Sequence, residues 1–456
     1  MLGGSKMRKR HKTIKKYTPV QIIVFYYFLA IAFSFLLLNL PGVYQGGVHI
    51  DFIDSLFTAV SAVSVTGLTP INIGETYTPF GIVMIMVVLQ LGGIGIMSIG
   101  TFFWLMIRKK IGMRERQLIM VDNNQYSLSG IVQLIRQVVV LIFMIELIGG
   151  LIFTIYLQHQ FDTFGEALLN GLFMSVSATT NVGFDLTGSS LRAYHQDYFV
   201  QIITMILIVL GAIGFPVLAE VRTYFSRKKS KTFRFSLFTK ITTVTFAALL
   251  LFGAIMIFIL ESMNSFKGMS WHERIFVSLF HSVSSRSGGL TTFDITEFSG
   301  ATDLLISGLM FIGASPSSVG GGIRTTTLAI AILFLVNFAK GRHFIHVFNR
   351  RIKLVDVYRS YAVILVAGFM VVAALILLSV TEPTISTHAL LFEITSAFGT
   401  CGMSLGITSS LSITGKIVIM LLMFIGRVGL ISFLLSLGGR AQQPHYDYPE
   451  ERVIIG

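Results

Sequence analysis

Four short segments of this chain share one ending, a small, hydroxyl-rich approach followed by a glycine: SAVSVTGL, SVSATTNVGF, SVSSRSGGL and TSAFGTCGM. Their glycines are Gly67, Gly183, Gly289 and Gly402, separated by 116, 106 and 113 residues, so the motif recurs once per quarter of the 456 residues. The alignment extends backwards. Phe57, Ser61, Ala62 and Gly67 match Phe173, Ser177, Ala178 and Gly183, and again Phe392, Ser396, Ala397 and Gly402; the third quarter matches less well. Four copies of one loop in one polypeptide are expected to stand around one axis.

Composition says what surrounds that axis. With 53% hydrophobic and 12% charged residues, and a mean hydropathy of +0.77, the chain falls far below the roughly 25% charge of a soluble domain. It reads as a polytopic membrane protein. Eight stretches are long enough for the roughly 30 Å hydrocarbon core: Pro19 to Leu40, Phe80 to Ile107, Ile131 to Leu157, Phe199 to Phe225, Ile241 to Leu260, a broken stretch from Leu304 to Phe338, Tyr361 to Val380, and Ile413 to Leu437. An even count places both termini on one side. Of the 35 Lys and Arg, 24 lie in residues 1–16, 108–116, 222–240 and 340–353. The positive-inside rule puts these segments, and both termini, in the cytoplasm. The net charge of +13 is thus mainly a topology signal; contact with anionic membrane lipids is a further use of it, and nucleic acid is not an expected partner. The single Cys401 excludes an intramolecular disulfide. The basic N-terminus runs straight into a full-length span, which is not the pattern of a cleavable signal peptide.

Between each odd and even span lies a segment too short and polar to cross: Phe52 to Ser64, Glu166 to Thr180, His272 to Ser285 and His388 to Phe398. Each reads as a half-helix entering from outside, because irregular backbone at membrane depth survives only inside protein or beside a watery cavity. The expected fold is therefore an all-α polytopic membrane protein of four membrane–pore-helix–membrane repeats. Eight spanning helices and four re-entrant half-helices surround a central pore. The divisions are a basic N-terminus 1–16, repeats at 17–116, 117–230, 231–352 (with the broken second span) and 353–440, and a tail 441–456.

A filter for a dehydrated cation needs rings of backbone carbonyls with no side chain in the lumen, and glycine supplies both the backbone freedom and the missing side chain. The residues expected around the ion are Val65, Thr66, Gly67 and Leu68; Asn181, Val182, Gly183 and Phe184; Ser287, Gly288, Gly289 and Leu290; and Thr400, Cys401, Gly402 and Met403. Pore-helix C-termini, carrying partial negative charge, should favour cations in the cavity below. Glycines in membrane helices also serve close packing, and the chain has 43; four at matching positions after polar half-helices favour the filter. The sixth span is broken by Gly313, Ala314, Ser315, Pro316, Ser317, Ser318, Val319, Gly320, Gly321, Gly322, Ile323 and Arg324. That composition cannot sustain a helix, so either a loop lines the pathway there or two packed halves meet at a kink. Arg427 lies within an apolar span, where a charge is costly and should face the bundle interior or water.

The four motifs, the half-helix pattern and GASPSSVGGGIRTTT at 313–327 resemble the Trk/Ktr/HKT superfamily of potassium transporters, most nearly the bacterial KtrB and KtrD type of membrane subunit. The resemblance spans residues 17–440. It implies a potassium-selective filter with one glycine per repeat, a homodimer with a pore in each subunit, and control by a separate cytosolic ring of KtrA/KtrC-like subunits that binds ATP or ADP and, in many relatives, cyclic di-AMP. It makes the 313–324 loop an intramembrane gate and gives Arg427 the role of a basic residue beneath the filter that engages that loop. In the plant branch a serine at the first filter glycine accompanies sodium transport; Gly67 here favours potassium, and sodium coupling is left open.

The remaining charges carry milder expectations. Arg286, just before the third filter segment, and Glu393, on the fourth pore helix, are expected to form a structural ion pair bracing adjacent repeats. His281, Asp54 and Asp185 are candidates for attracting cations at the outer vestibule, while Glu146 and Glu220 need partners the sequence does not identify. No GxxxxGK[ST] loop, HExxH helix or phosphorylation-type aspartate motif occurs, so the chain itself is not expected to bind or hydrolyse nucleotide. The runner-up, a membrane enzyme or lipid-handling protein with a catalytic cavity, lacks a triad, carboxylate pair or metal-ligand set near the loops. The tail PHYDYPEERVIIG is either solvated or packed at an interface.

Overall fold

A computed structural model describes residues 18–107, 111–122, 130–226, 233–342 and 344–437, with the isolated positions 449 and 451. The basic N-terminus 1–16 and nearly all of the tail 441–456, with its proposed interface role, lie outside the described residues. The described chain is mostly helical. In order come α1 (Pro19–Leu38), α2 (Phe52–Ser64), α3 (Ile73–Thr76), α4 (Pro79–Gly93), α5 (Ile96–Met106) and α6 (Met113–Asp122). Then follow α7 (Ile131–Leu157), α8 (Phe164–Thr179), α9 (Tyr198–Ala212) and α10 (Phe215–Ser226). After them are α11 (Leu237–Glu261), α12 (Trp271–Ser284), α13 (Gly300–Phe311) and α14 (Thr325–Ala339), then a two-stranded hairpin, β1 (His346–Val347) with β2 (Arg350–Arg351). The last are α15 (Leu354–Thr381), α16 (Thr387–Gly399), α17 (Ile413–Val428) and α18 (Leu430–Leu437).

Burial is inverted relative to a soluble protein. The long helices turn large apolar side chains outwards: Phe28, Phe33 and Leu36 on α1, Leu251, Ile255 and Ile259 on α11, Leu365, Phe369 and Ile376 on α15. Apolar faces of that extent are not left in water. The short helices α2, α8, α12 and α16 instead form the centre, each packed against the long helix before it, and their serines and threonines are buried with them. Several of these hydroxyls are satisfied within their own helix: Thr58 donates to the Asp54 carbonyl at 2.8 Å, Ser278 to Arg274 at 2.7 Å and Thr395 to Leu391 at 2.9 Å.

The short helices begin and end within about two residues of the polar stretches read from the sequence, and two of them have a side-chain cap at their start. Thr163 caps α8, and Ser270 forms a capping box with Glu273 on α12. The second spans depart from expectation. Only the sixth was read as broken, yet α4 and α5 meet at 101° and α9 and α10 at 104°, and α17 stops one residue before α18 starts. A glycine in the left-handed region stands at every break: Gly95 (φ +90°), Gly214 (φ +104°), Gly322 (φ +71°) and Gly429 (φ +88°). Helical φ/ψ cannot continue through such a residue. Among the described helices, four are long and apolar enough to cross a membrane, or six if each of the two bent pairs is one span.

Candidate functional site: a ring of four glycine loops above a broken helix

Each short central helix ends in a loop of one shape. Two residues before each motif glycine the backbone is left-handed, at Val65 (φ +60°), Asn181 (+55°), Ser287 (+75°) and Thr400 (+49°). The glycines follow at +94°, +77°, +71° and +98°. For β-branched Val65 and Thr400 this is a costly conformation, and it persists only because the surroundings over-determine it. One serine per helix does much of that. Ser61 Oγ accepts from Gly67 N at 3.0 Å and Ser396 Oγ from Gly402 N at 3.1 Å. Ser177 Oγ donates to the Phe184 carbonyl at 2.6 Å and Ser284 Oγ to the Leu290 carbonyl at 2.5 Å. The third segment has one residue fewer between this serine and its glycine, five positions instead of six, which is why it aligned poorly.

The four loops close a cycle. A β-carbon on Gly67 would collide with the Val182 carbonyl, on Gly183 with Gly288, on Gly289 with Cys401, and on Gly402 with Thr66. Every glycine therefore presses on the carbonyl that precedes the glycine of the next segment, and no side chain fits between. The flanking residues Val65, Thr66, Leu68, Asn181, Val182, Phe184, Ser287, Leu290, Thr400, Cys401 and Met403 are buried.

The segment Gly313–Arg324 lies against this ring. Gly321 N donates to Thr400 Oγ1 at 2.6 Å, and a β-carbon on Gly320 would run into the Ser287 side chain. On its other side the segment is held by the bend between α9 and α10: Phe215 N donates to the Ser317 carbonyl at 2.7 Å, Ser315 N to Ala212 at 3.1 Å and Val319 N to Gly211 at 3.3 Å. Internally, Ser318 Oγ donates to the Ser315 carbonyl at 2.7 Å, and Arg324 donates to the carbonyls of Ser315 and Gly320. It is an ordered, hydrogen-bonded loop, more than a kink. Arg427 is buried and its guanidinium bridges two elements: it donates to the Val319 carbonyl of the loop and to Gly92 and Gly93, whose carbonyls end α4. A cation there meets the partial negative charge of a helix C-terminus.

Among the other charged residues, the expected ion pair does not form. Arg286 and Glu393 do not pair: Arg286 donates to the Leu309 carbonyl, while Glu393 accepts from Ser404 at 2.8 Å and from Thr408. Glu393 is saturated by hydroxyls of the loop that follows its own helix, so it has no reason to reach across. Asp54 is not free at a vestibule but bound to Lys416 at 2.6 Å, joining α2 to α17. His281 is buried, its Nδ1 2.8 Å from the Val277 carbonyl. Asp185 caps a turn, accepting from Thr187 N and Ser190 N at 3.0 Å each. Glu146 accepts from Gln90 at 2.5 Å, and Glu220 from Ser236 N at 3.0 Å.

Sequence reasoning missed the packing glycines. Gly92, Gly211 and Gly426 each lie where a β-carbon would strike the C-terminal end of a central helix, at Ala62 and Val63, Thr179 and Phe398. The signal was legible as G-x-x-G, with Gly92–Gly95, Gly211–Gly214 and Gly426–Gly429 in LGGIG, LGAIG and IGRVG.

Comparison with known proteins places this arrangement. Residues 4–444 match the family model TrkH, described as a cation transport protein. The chain is 53% identical to the Ktr system potassium uptake protein D of Bacillus subtilis (strain 168), covering 98% of this chain and 99% of that protein. It is 34% identical to the potassium/sodium uptake protein NtpJ of Enterococcus hirae, covering 99% of each. The fold matches the crystal structure of the potassium transporter TrkH from Vibrio parahaemolyticus with a TM-score of 0.73 at 17% identity, over 94% of this chain and 86% of that one.

Proposed function

From the premise that this chain belongs to the TrkH family of cation transport proteins, a family of transporters and not of enzymes, we propose that it is the potassium-translocating membrane subunit of a Ktr-type uptake system. The observation that carries the reading is the closed cycle of Gly67, Gly183, Gly289 and Gly402 against the carbonyls of Thr66, Val182, Gly288 and Cys401. With side chains excluded, these carbonyls are the groups available to replace the water around a dehydrated cation. The sixteen expected residues (65–68, 181–184, 287–290, 400–403) form the filter, within four membrane–pore-helix–membrane repeats. The termini and the basic loops face the cytoplasm.

Gly313–Arg324 is the gate, and Arg427 its latch. In the closed state the loop hangs from Thr400 and from the α9–α10 bend, and Arg427 ties Val319 to the end of α4, placing a fixed positive charge beneath the filter. Conduction requires these bonds to break together, which suits a two-state element moved by a partner. That partner is a cytosolic nucleotide-binding ring of the KtrA/KtrC kind, docking on the basic cytoplasmic loops of a homodimer. Potassium is the transported ion; a relative named for potassium and sodium uptake makes sodium the ion to test as activator.

Expression in a bacterium lacking its own potassium uptake tests the reading. Growth at limiting potassium should be restored by the wild-type chain and lost with Gly183→Asp, which puts a carboxylate where only a backbone fits. Restoration by the Gly183→Asp chain, or none by a wild-type chain present in the membrane, overturns it. Potassium uptake with sodium replaced by choline reads the coupling ion.

A further inference from the structure

Arg286 is fully buried, beside the third filter segment, and has no carboxylate partner. Its Nη2 donates to the Leu309 carbonyl in the last turn of α13, while Nε and Nη1 find no acceptor among the described residues. A buried guanidinium with one carbonyl partner is expensive to keep, so its position asks for a role. Its backbone immediately precedes Ser287, the left-handed residue that opens the third segment. The helix it holds ends at Phe311 and leads directly into the Gly313–Arg324 loop.

The far end of the same loop returns to the filter by separate contacts. Gly321 N is bonded to Thr400 Oγ1, and Gly320 packs on Ser287. Ser287 Oγ donates to the Gly399 carbonyl at 3.2 Å, linking the third and fourth segments. Gly399 itself admits no β-carbon because the Met310 carbonyl of α13 occupies the space, and Gly322 packs on its Cα. Both ends of the loop are thus tied to the third and fourth segments: the far end at Thr400 and Ser287, and the head through α13, by Arg286 on the Leu309 carbonyl and by Met310 against Gly399.

We infer that Arg286 is a positioning residue that couples the filter to the gating loop, so that moving the loop changes ion selectivity as well as opening the path. The inference rests on the filter and gate proposed above. When the loop leaves its seat, the last turn of α13 shifts, the Leu309 carbonyl moves with it, and Arg286 transmits the shift to Ser287.

The test is a double-mutant cycle on the full-length protein in liposomes, measuring potassium and sodium uptake in parallel. Arg427→Ala, which releases the loop, should change the potassium-to-sodium ratio by at least about fivefold in the wild-type background and leave it nearly unchanged with Arg286→Gln, a coupling of the size expected for linked residues. Arg286→Lys, which still offers Leu309 a donor, should retain the response. Arg286→Met, which keeps the length and removes the unpaired donors, runs the same cycle if the glutamine variant does not fold. Equal shifts in both backgrounds, or no shift in the wild-type background, overturn the coupling. A wild-type protein with no preference for potassium overturns the filter reading itself.

Discussion

At single residues, the proposed filter is held by conformations that most side chains avoid. Gly402 sits at φ +98° with the Thr66 carbonyl where a β-carbon would be, so Gly402→Ala carries the left-handed cost of about 1–2 kcal/mol plus a backbone clash. Potassium uptake should fall sharply and the preference over sodium should collapse, as read by competition uptake. Ser396→Ala is gentler. It removes one hydrogen bond to Gly402 N, a loss of roughly 1 kcal/mol, and should reduce the potassium-to-sodium ratio severalfold while leaving the protein folded; an unchanged ratio means the serine does not hold the filter. Arg427→Ala frees Val319 and the end of α4 and should raise uptake in the absence of any activating partner, with Arg427→Lys intermediate because a single ammonium cannot span both sets of carbonyls. The recurring serines and glycines were readable in the sequence at this scale because they repeat. Arg286 was not, since its partner is a backbone carbonyl and no side-chain pattern advertises one.

Among elements, the decisive feature is that the helices following the short central ones are interrupted, at Gly95, Gly214, the Gly313–Arg324 loop and Gly429. Gly95 and Gly214 allow turns of 101° and 104°, and a β-carbon at either φ is strained. Gly214→Ala should lower the melting temperature in detergent and weaken the seat of the Gly313–Arg324 loop, because the same bend supplies the contacts to Ser315, Ser317 and Val319. A melting curve and partner-free uptake equal to wild type would contradict it. Lys416 and Asp54 join α17 to α2, closing the ring between the last quarter and the first. With side chains only 12% and 19% exposed, the pair should exceed the ~0.2–1 kcal/mol of exposed bridges. Asp54→Asn and Lys416→Gln should each destabilise, and the double variant should cost less than their sum. The apolar helices and the short polar helices between them were legible from hydropathy and length. The bends were not, because a G-x-x-G run in an apolar helix reads equally well as a packing face until its neighbours are known.

For the whole molecule, binding provides the check. Ions that bind the folded filter and not the unfolded chain raise stability by about 2.7 kcal/mol at a hundredfold excess over Kd. Potassium should therefore raise the melting temperature of the purified protein where lithium does not, and Gly183→Asp should abolish the difference. Four unequal quarters in one chain allow what identical subunits do not: one interrupted helix is extended into the Gly313–Arg324 loop, and one last helix carries Arg427. The amino-acid sequence by itself determined the membrane environment, the count of loops, their glycines and the identity of the odd quarter, because these are matters of composition and repetition along the chain. Only the tertiary structure decided that each glycine abuts the next segment's carbonyl, that Asp54 is neutralised by Lys416, and that Arg286 serves Leu309 instead of Glu393. Those contacts join residues a hundred or more positions apart in several cases, and packing alone selects among the many partners that such distances permit.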